Sequence, residues 1–178
     1  EVLAPAQVTA VTTEASGVHL RLLQDELETG IEARLLVAAD GAESFVRETL
    51  GLPTRRWDYH EHAVTANITP GRHHQGRAFE RFTEQGPVAL LPLPDQRCGL
   101  VWTVGEAQLD EVLALDDRAF LAAFQARFGY RLGRFSRVGR RASYPLRFLR
   151  ATEFTADRVA VIGNAAHTLH PVAGQGFN

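Results

Sequence analysis

An α/β chain of α+β character, in which a unit with a buried parallel-type strand is interrupted by an inserted and mostly antiparallel sheet, is predicted by three observations. Val159 to Ile162 is almost wholly β-branched and gives way to the small residues Gly163 to Ala166. That is how a strand covered on both faces ends where backbone must come close to a ligand. Four strand-like stretches between residues 62 and 104 follow one another through Gly, Pro, Asp and Asn turns with no helical pattern between them, as a meander does. Leu35–Leu50 holds the end of an apolar strand and a short helix, and Arg158–Asn178 a strand leading towards a helix, so these two distant stretches are expected to meet in one unit around the insertion.

In chain order, QVTAVTT (7–13) and VHLRLL (18–23) alternate around Ala15-Ser16-Gly17, a hairpin signal. IEARLLVAA (31–39) begins amphipathic and ends apolar, which predicts one strand running from a surface sheet into the interior before Asp40-Gly41 turns the chain. Ser44 to Leu50 reads as one or two helical turns with Phe45, Thr49 and Leu50 sharing a face, closed by Gly51 and Pro53. The meander is HAVTANIT (62–69), GRAFERFT (76–83), PVALLPL (87–93) and CGLVWTV (98–104). Asp110 to Phe128 is helical, with Asp116 the N-cap of its second part and Phe120, Leu121, Phe124 and Phe128 at core spacing. Gly139 to Leu149 returns to the sheet, and Asp157 opens the last strand.

The 178 residues, 45% hydrophobic and 22% charged, suit one or two globular domains. A formal charge of −2 is read as leaving no basic stripe for nucleic acid. No apolar run approaches the ~20 residues that span a bilayer, so any membrane contact is expected to be peripheral. The lone Cys98 forms no internal disulfide and is expected to be a buried, inert thiol. With no Met and a first residue Glu1, the sequence is expected to be an internal fragment of a longer protein.

Two motifs carry chemistry. Asp40-Gly41-Ala42-Glu43-Ser44-Phe45-Val46-Arg47 has the form D-G-x-x-S-x-x-R, and Gly163-Asn164-Ala165-Ala166-His167 through Pro171 to Gly174, Gly176, Phe177 and Asn178 has the form G-D-A-A-H-x-x-x-P-x-x-G-x-G-x-N with Asn164 in place of Asp. No G-x-G-x-x-G stretch occurs. On these motifs and their spacing the chain resembles the FAD-dependent aromatic hydroxylases, single-component flavin monooxygenases with the p-hydroxybenzoate hydroxylase fold. SYPL (143–146), LLPL (90–93) and GLVWT (99–103) are further similar to the subgroup of ubiquinone biosynthesis that hydroxylates 2-octaprenyl-6-methoxyphenol.

The resemblance implies a Rossmann-like FAD-binding domain over 1–56 and 151–178 and a substrate-binding sheet over 57–150. It implies cofactor contacts from Asp40, Gly41, Arg47, Gly163, Asn164, Pro171, Gly174, Gly176, Phe177 and Asn178, and no side chain acting as a nucleophile. Arg47 offers a fork of donors to a pyrophosphate or to an acidic neighbour, and Asn164 keeps a carbonyl acceptor for flavin ribityl hydroxyls while losing the charge of Asp. His167 is a shape-filling residue or an ordinary satisfied histidine.

The activity so implied is hydroxylation of a phenolic ring, a prenylated one by the subgroup likeness, with FAD as cofactor and NAD(P)H and O2 as co-substrates. The chain alone is expected to be inactive and to hold no FAD tightly, and its setting is expected to be cytoplasmic or peripheral on a bacterial inner membrane. The alternatives are a hydroxylase of a small soluble phenol and a non-catalytic nucleotide-binding or assembly module. His60, His62, His73 and His74 lack the carboxylate or Cys spacing of a closed metal site and are read as exposed turn histidines, with no metal. No G-x-S-x-G elbow supports a hydrolase. Phe79, Phe82 and Trp102 line an apolar pocket or belong to the core.

Overall fold

Residues 1–173 are described by the computed structural model. β1 (Gln7–Thr13) and β2 (Val18–Gln24) form the expected hairpin, closed by paired bonds between Glu14 and Gly17. A Cβ at Gly17 would stand 2.8 Å from the Ala33 carbonyl oxygen, which accounts for glycine there. The stretch expected as one strand over 31–39 is two. β3 (Leu27–Ala33) pairs antiparallel with β2, and after a break at 34–35 β4 (Leu36–Ala38) joins a different sheet. The amphipathic half stays on the sheet with a wet face, while the apolar half enters the other.

α1 (Phe45–Thr49) is one turn capped by Ser44, whose hydroxyl accepts from the Arg47 N–H at 3.0 Å. Its buried side chains are Val46 and Arg47, and Phe45 is exposed. Of the face that Phe45, Thr49 and Leu50 can share, only Leu50 packs on the core of this unit. One turn has too little apolar periodicity to fix its own rotation, and the buried arginine sets it instead.

β5 (Thr54–Thr69) starts eight residues earlier than the alternation at 62 suggested. β6 (Phe79–Thr83), β7 (Gly86–Pro92) and β8 (Cys98–Gly105) complete the meander. They lie in the order β5-β8-β7-β6, all antiparallel. α2 (Leu109–Ala114) and α3 (Asp117–Phe128) follow, then β9 (Arg137–Val138) on β5 and β10 (Ala142–Ala151). β11 (Thr155–Ala156), β12 (Val159–Val161) and β13 (His167–Thr168) end the set, β13 pairing with Leu149 and Arg150 of β10.

The chain forms two compact units, one from Glu1–Trp57 and Arg147–Asn178, the other from Asp58–Leu146. In the second, alternate residues Val64, Ile68, Val88, Leu90, Leu100 and Trp102 point to one face, where Phe120, Phe124 and Phe128 of α3 cover them. The Trp102 ring lies 5.4 Å from Phe120 and 5.6 Å from Phe124. Trp102 is thus core and Phe79 packs against it, whereas Phe82 is 70% exposed. Asp116 caps α3 as expected, its carboxylate accepting from the Ala119 N–H at 2.7 Å. Asp116→Ala should lower the stability of this unit by about 1 kcal/mol, measured by urea denaturation.

Cys98 is fully buried among these strands, and burial pushes its thiol above the ordinary value. The folded state therefore holds the proton more tightly than the unfolded chain. Its contribution to stability is complete below the unfolded thiol pKa and is lost as pH rises through the folded one. Native protein at pH 8 should resist a thiol reagent until unfolded, and Cys98→Ala should flatten the alkaline loss of stability.

His74 is not an exposed turn residue. It is 7% exposed, its Nδ1 accepts from the Gly76 N–H at 3.0 Å, and its Nε2 therefore donates to the Leu93 carbonyl at 3.1 Å. Among the described residues no group of three or more His, Cys, Asp or Glu is placed to hold a metal, and no helix is long and apolar enough to cross a membrane. The near-neutral total charge hides a local basic run: seven arginines and no acidic residue between Arg118 and Arg141.

Candidate functional site

The two motifs meet in the first unit. β4 and β12 run parallel in the register Leu36 with Val159, Val37 with Ala160 and Ala38 with Val161. The Ile162 N–H then donates to the Ala38 carbonyl at 2.9 Å. Asp40-Gly41 and Gly163-Asn164 therefore leave the pair at the same carboxyl end, the place where α/β sheets bind ligands.

Asp40 orders its own turn: its Oδ2 accepts from the Val46 N–H at 3.1 Å, one of the donors a helix start leaves unpaired. Gly41 sits at φ +91° and Gly163 at φ +58°, conformations that favour glycine, and a Cβ on either would meet nothing within 4 Å. Gly163 and Asn164 are exposed, so the strand ends in bare backbone beside an amide side chain.

Arg47 fixes the two segments together. Its side chain is 0% exposed, one terminal nitrogen donates to the Ala165 carbonyl at 2.8 Å and the other to the Ala42 carbonyl at 2.7 Å. Sequence reasoning offered its fork to a pyrophosphate or an acidic neighbour. In the structure those two donors go to main-chain oxygens, with Glu48 3.7 Å away and Nε buried without a hydrogen-bond partner. Burial, then Arg56, lowers the guanidinium from its ordinary value, opposed by Glu48, Glu43 and Asp40. Arginine titrates so high that the charge persists.

Pro171 opens a single 3-10 turn, Pro171–Ala173, and is exposed. The Val172 N–H donates to the Nδ1 of His170 at 3.2 Å. His167 is half-buried on β13 opposite Arg150. Gly174, Gly176, Phe177 and Asn178 lie outside the described residues. Two partners in the site were missed from sequence: the carbonyls of Ala42 and Ala165. Every residue carries such an acceptor, so no residue type could have flagged them.

The arrangement offers a pair of glycine-opened strand ends, tied together by a buried cation, to a flat or phosphorylated ligand. Comparison with known proteins points the same way. A family model described as FAD binding domain matches residues 1–178. Ubiquinone hydroxylase UbiL of Rhodospirillum rubrum is 41% identical over 176 residues, covering 99% of this chain and 40% of its own. The 3-demethoxyubiquinol 3-hydroxylase of Escherichia coli is 33% identical over 162 residues, covering 90% of this chain and 41% of its own.

Among solved structures, p-nitrophenol 4-monooxygenase PnpA from Pseudomonas putida DLL-E4 matches with a TM-score of 0.74 at 21% identity, over 96% of this chain and 44% of its own. The flavin-dependent halogenase CmlS matches with a TM-score of 0.78 at 21% identity, over 97% and 33%. These structural likenesses are likenesses of fold. The chain spans about 40% of the length of the curated relatives named here.

Proposed function

This chain belongs to the FAD-binding domain family, and on that premise we propose that it is part of a flavoprotein monooxygenase whose whole chain hydroxylates a phenolic ring with FAD, NAD(P)H and O2. The observation that carries the reading is the Arg47 tie between Ala42 and Ala165 at the common carboxyl end of β4 and β12. The residues present fit the cofactor. Gly41 and Gly163 leave backbone uncovered for a pyrophosphate or ring edge, and the exposed Asn164 amide supplies an acceptor for a ribityl hydroxyl. Pro171, with Gly174, Gly176, Phe177 and Asn178, is assigned to the flavin ring side on family likeness.

A second observation supports a larger Rossmann-like sheet. Leu36 and Ala38 face the core, while Leu35, Val37 and Ile162 on the other face of the parallel pair are exposed. Parallel strands are normally covered on both faces. We assign 1–56 and 151–178 to the FAD domain and 57–150 to a substrate domain. In the latter, the sheet face away from α3 carries small residues. Thr65, Asn67, Gly99 and Val101 floor a hollow of about 380 Å3 bounded by Leu91 and Arg140, which suits a flat ring.

The chemistry supplied by bound FAD is hydride acceptance from NAD(P)H and activation of O2. The protein's part is positional: Arg47 and Asp40 hold the turns, the glycines admit the cofactor, and the sheet seats the ring away from water. The names of the relatives support a ubiquinone-type, polyprenylated phenol as substrate, and we propose with it a cytoplasmic enzyme working peripherally at a bacterial inner membrane.

The test uses the full-length protein, read for flavin absorbance and for phenol-dependent NAD(P)H oxidation with prenylated and unprenylated phenols. Bound flavin with faster turnover on the prenylated phenol is expected. Flavin without turnover would make it a binding module, and equal turnover on the unprenylated phenol would remove the lipid-substrate assignment. The 178-residue chain alone should titrate FAD only weakly, because it holds no G-x-G-x-x-G stretch.

A further inference from the structure

The arginine run of the second unit is built into a groove. α3 and the segment 130–138 enclose about 690 Å3, with Leu121, Ala122, Phe135 and Val138 on the apolar floor and Arg118, Arg134 and Arg137 among the lining residues. All three arginines are exposed. The side chains of Arg118 and Arg137 have no hydrogen-bond or ion-pair partner among the described residues, and the Arg134 guanidinium lies 5.8 Å from the centre of the exposed Tyr130 ring. One carboxylate lines the groove, that of Asp117, and it is already neutralised by Arg141 at 2.5 Å. The Arg141 guanidinium also bonds the Leu113 and Leu115 carbonyls and stacks on Phe120.

The groove is preorganised. The Gln125 side chain is 8% exposed and makes three bonds to the segment that carries the arginines: its amide N–H groups donate to the Gly129 carbonyl at 2.6 Å and the Gly133 carbonyl at 3.2 Å, and its carbonyl accepts from the Phe135 N–H at 3.0 Å. A loop whose only task was to connect α3 to β9 would not need a buried amide to hold it with Arg134 and Arg137 facing the groove that Arg118 of α3 also lines.

We propose that this groove is a docking site for anionic phospholipid headgroups, placing the second unit against a membrane surface. Arginine forks match phosphate oxygens bidentately. The apolar floor takes the glycerol and first methylenes, and the Tyr130 ring sits where aromatic side chains anchor at an interface. The charge of the lining suits it: three arginines stand against one carboxylate, that of Asp117, which is paired with Arg141. A nucleic acid would meet the same cations but has no use for the apolar floor. The proposal deepens the peripheral-membrane part of the function given above without depending on hydroxylation, so lipid binding and turnover can fail separately.

Flotation of the full-length protein with phosphatidylcholine vesicles, with and without 30% phosphatidylglycerol, tests it. Recovery with the anionic vesicles alone is expected. The triple variant Arg118→Gln, Arg134→Gln, Arg137→Gln should lose roughly fivefold in partitioning per arginine, on the order of a hundredfold in all. Arg97→Gln, outside the groove, should leave partitioning unchanged, and circular dichroism of each variant monitors folding. Equal recovery on neutral vesicles, or an unaffected triple variant, would overturn the proposal. So would loss of vesicle binding in millimolar glycerol 3-phosphate at constant ionic strength, which would make the groove a site for soluble phosphate esters, or tighter arginine-dependent binding to single-stranded DNA than to the vesicles.

Discussion

Arg47→Met is expected to destabilise the first unit by about 3–5 kcal/mol and to abolish FAD retention by the full-length protein. The substitution removes two charge-assisted bonds and strands the Ala42 and Ala165 carbonyls beside an apolar side chain, and each loss costs on the order of 1–3 kcal/mol. Arg47→Lys should recover less than half, since an ammonium lacks the planar fork that spans both oxygens. Trp57, stacked on Phe148 at 3.7 Å within this unit, reports the transition by fluorescence in a Trp102→Phe background. A shift below about 1 kcal/mol would mean the two motifs are held together by strand pairing alone. Flavin retained at the wild-type level would separate the tie from the cofactor site.

Phe124→Ala should have a comparable effect on the second unit, about 3–5 kcal/mol. The ring is fully buried and stands 5.6 Å from Trp102, 5.8 Å from Phe128 and 5.5 Å from Phe135, so truncation leaves a cavity whose walls are themselves aromatic and slow to collapse. Trp102, 2% exposed in the same cluster, reports the loss in a Trp57→Phe background as a red-shifted emission and a lower urea midpoint. Phe124→Leu should recover part of it. An unchanged midpoint in Phe124→Ala would show that α3 contributes little to the sheet's stability.

The contrast between these two residues shows what can be read from sequence. Phe124 was legible because Phe120, Phe124 and Phe128 repeat at helical spacing over three turns, and Asp116 marks where the helix starts. The meander was legible for the same reason, since strand alternation separates Val64, Leu100 and Trp102 from the small residues on the opposite face. The single turn at 45–49 has no such redundancy, and nothing in its local pattern marks Val46 and Arg47 as its buried pair. The break at 34–35 was invisible because both halves are strand-like and differ only in which partner they find.

By itself the sequence determined the alternation of element types, the insertion of the antiparallel sheet, and both motifs with their family likeness, because those depend on residue type and local spacing. The tertiary structure alone decided that β4 lies parallel to β12, that Arg47 is spent on two carbonyls, and that Arg118, Arg134 and Arg137 line one groove. Those are placements set by packing beyond the local pattern, several of them to backbone atoms common to every residue. They are fixed by which surfaces bury each other and leave no mark on the local pattern.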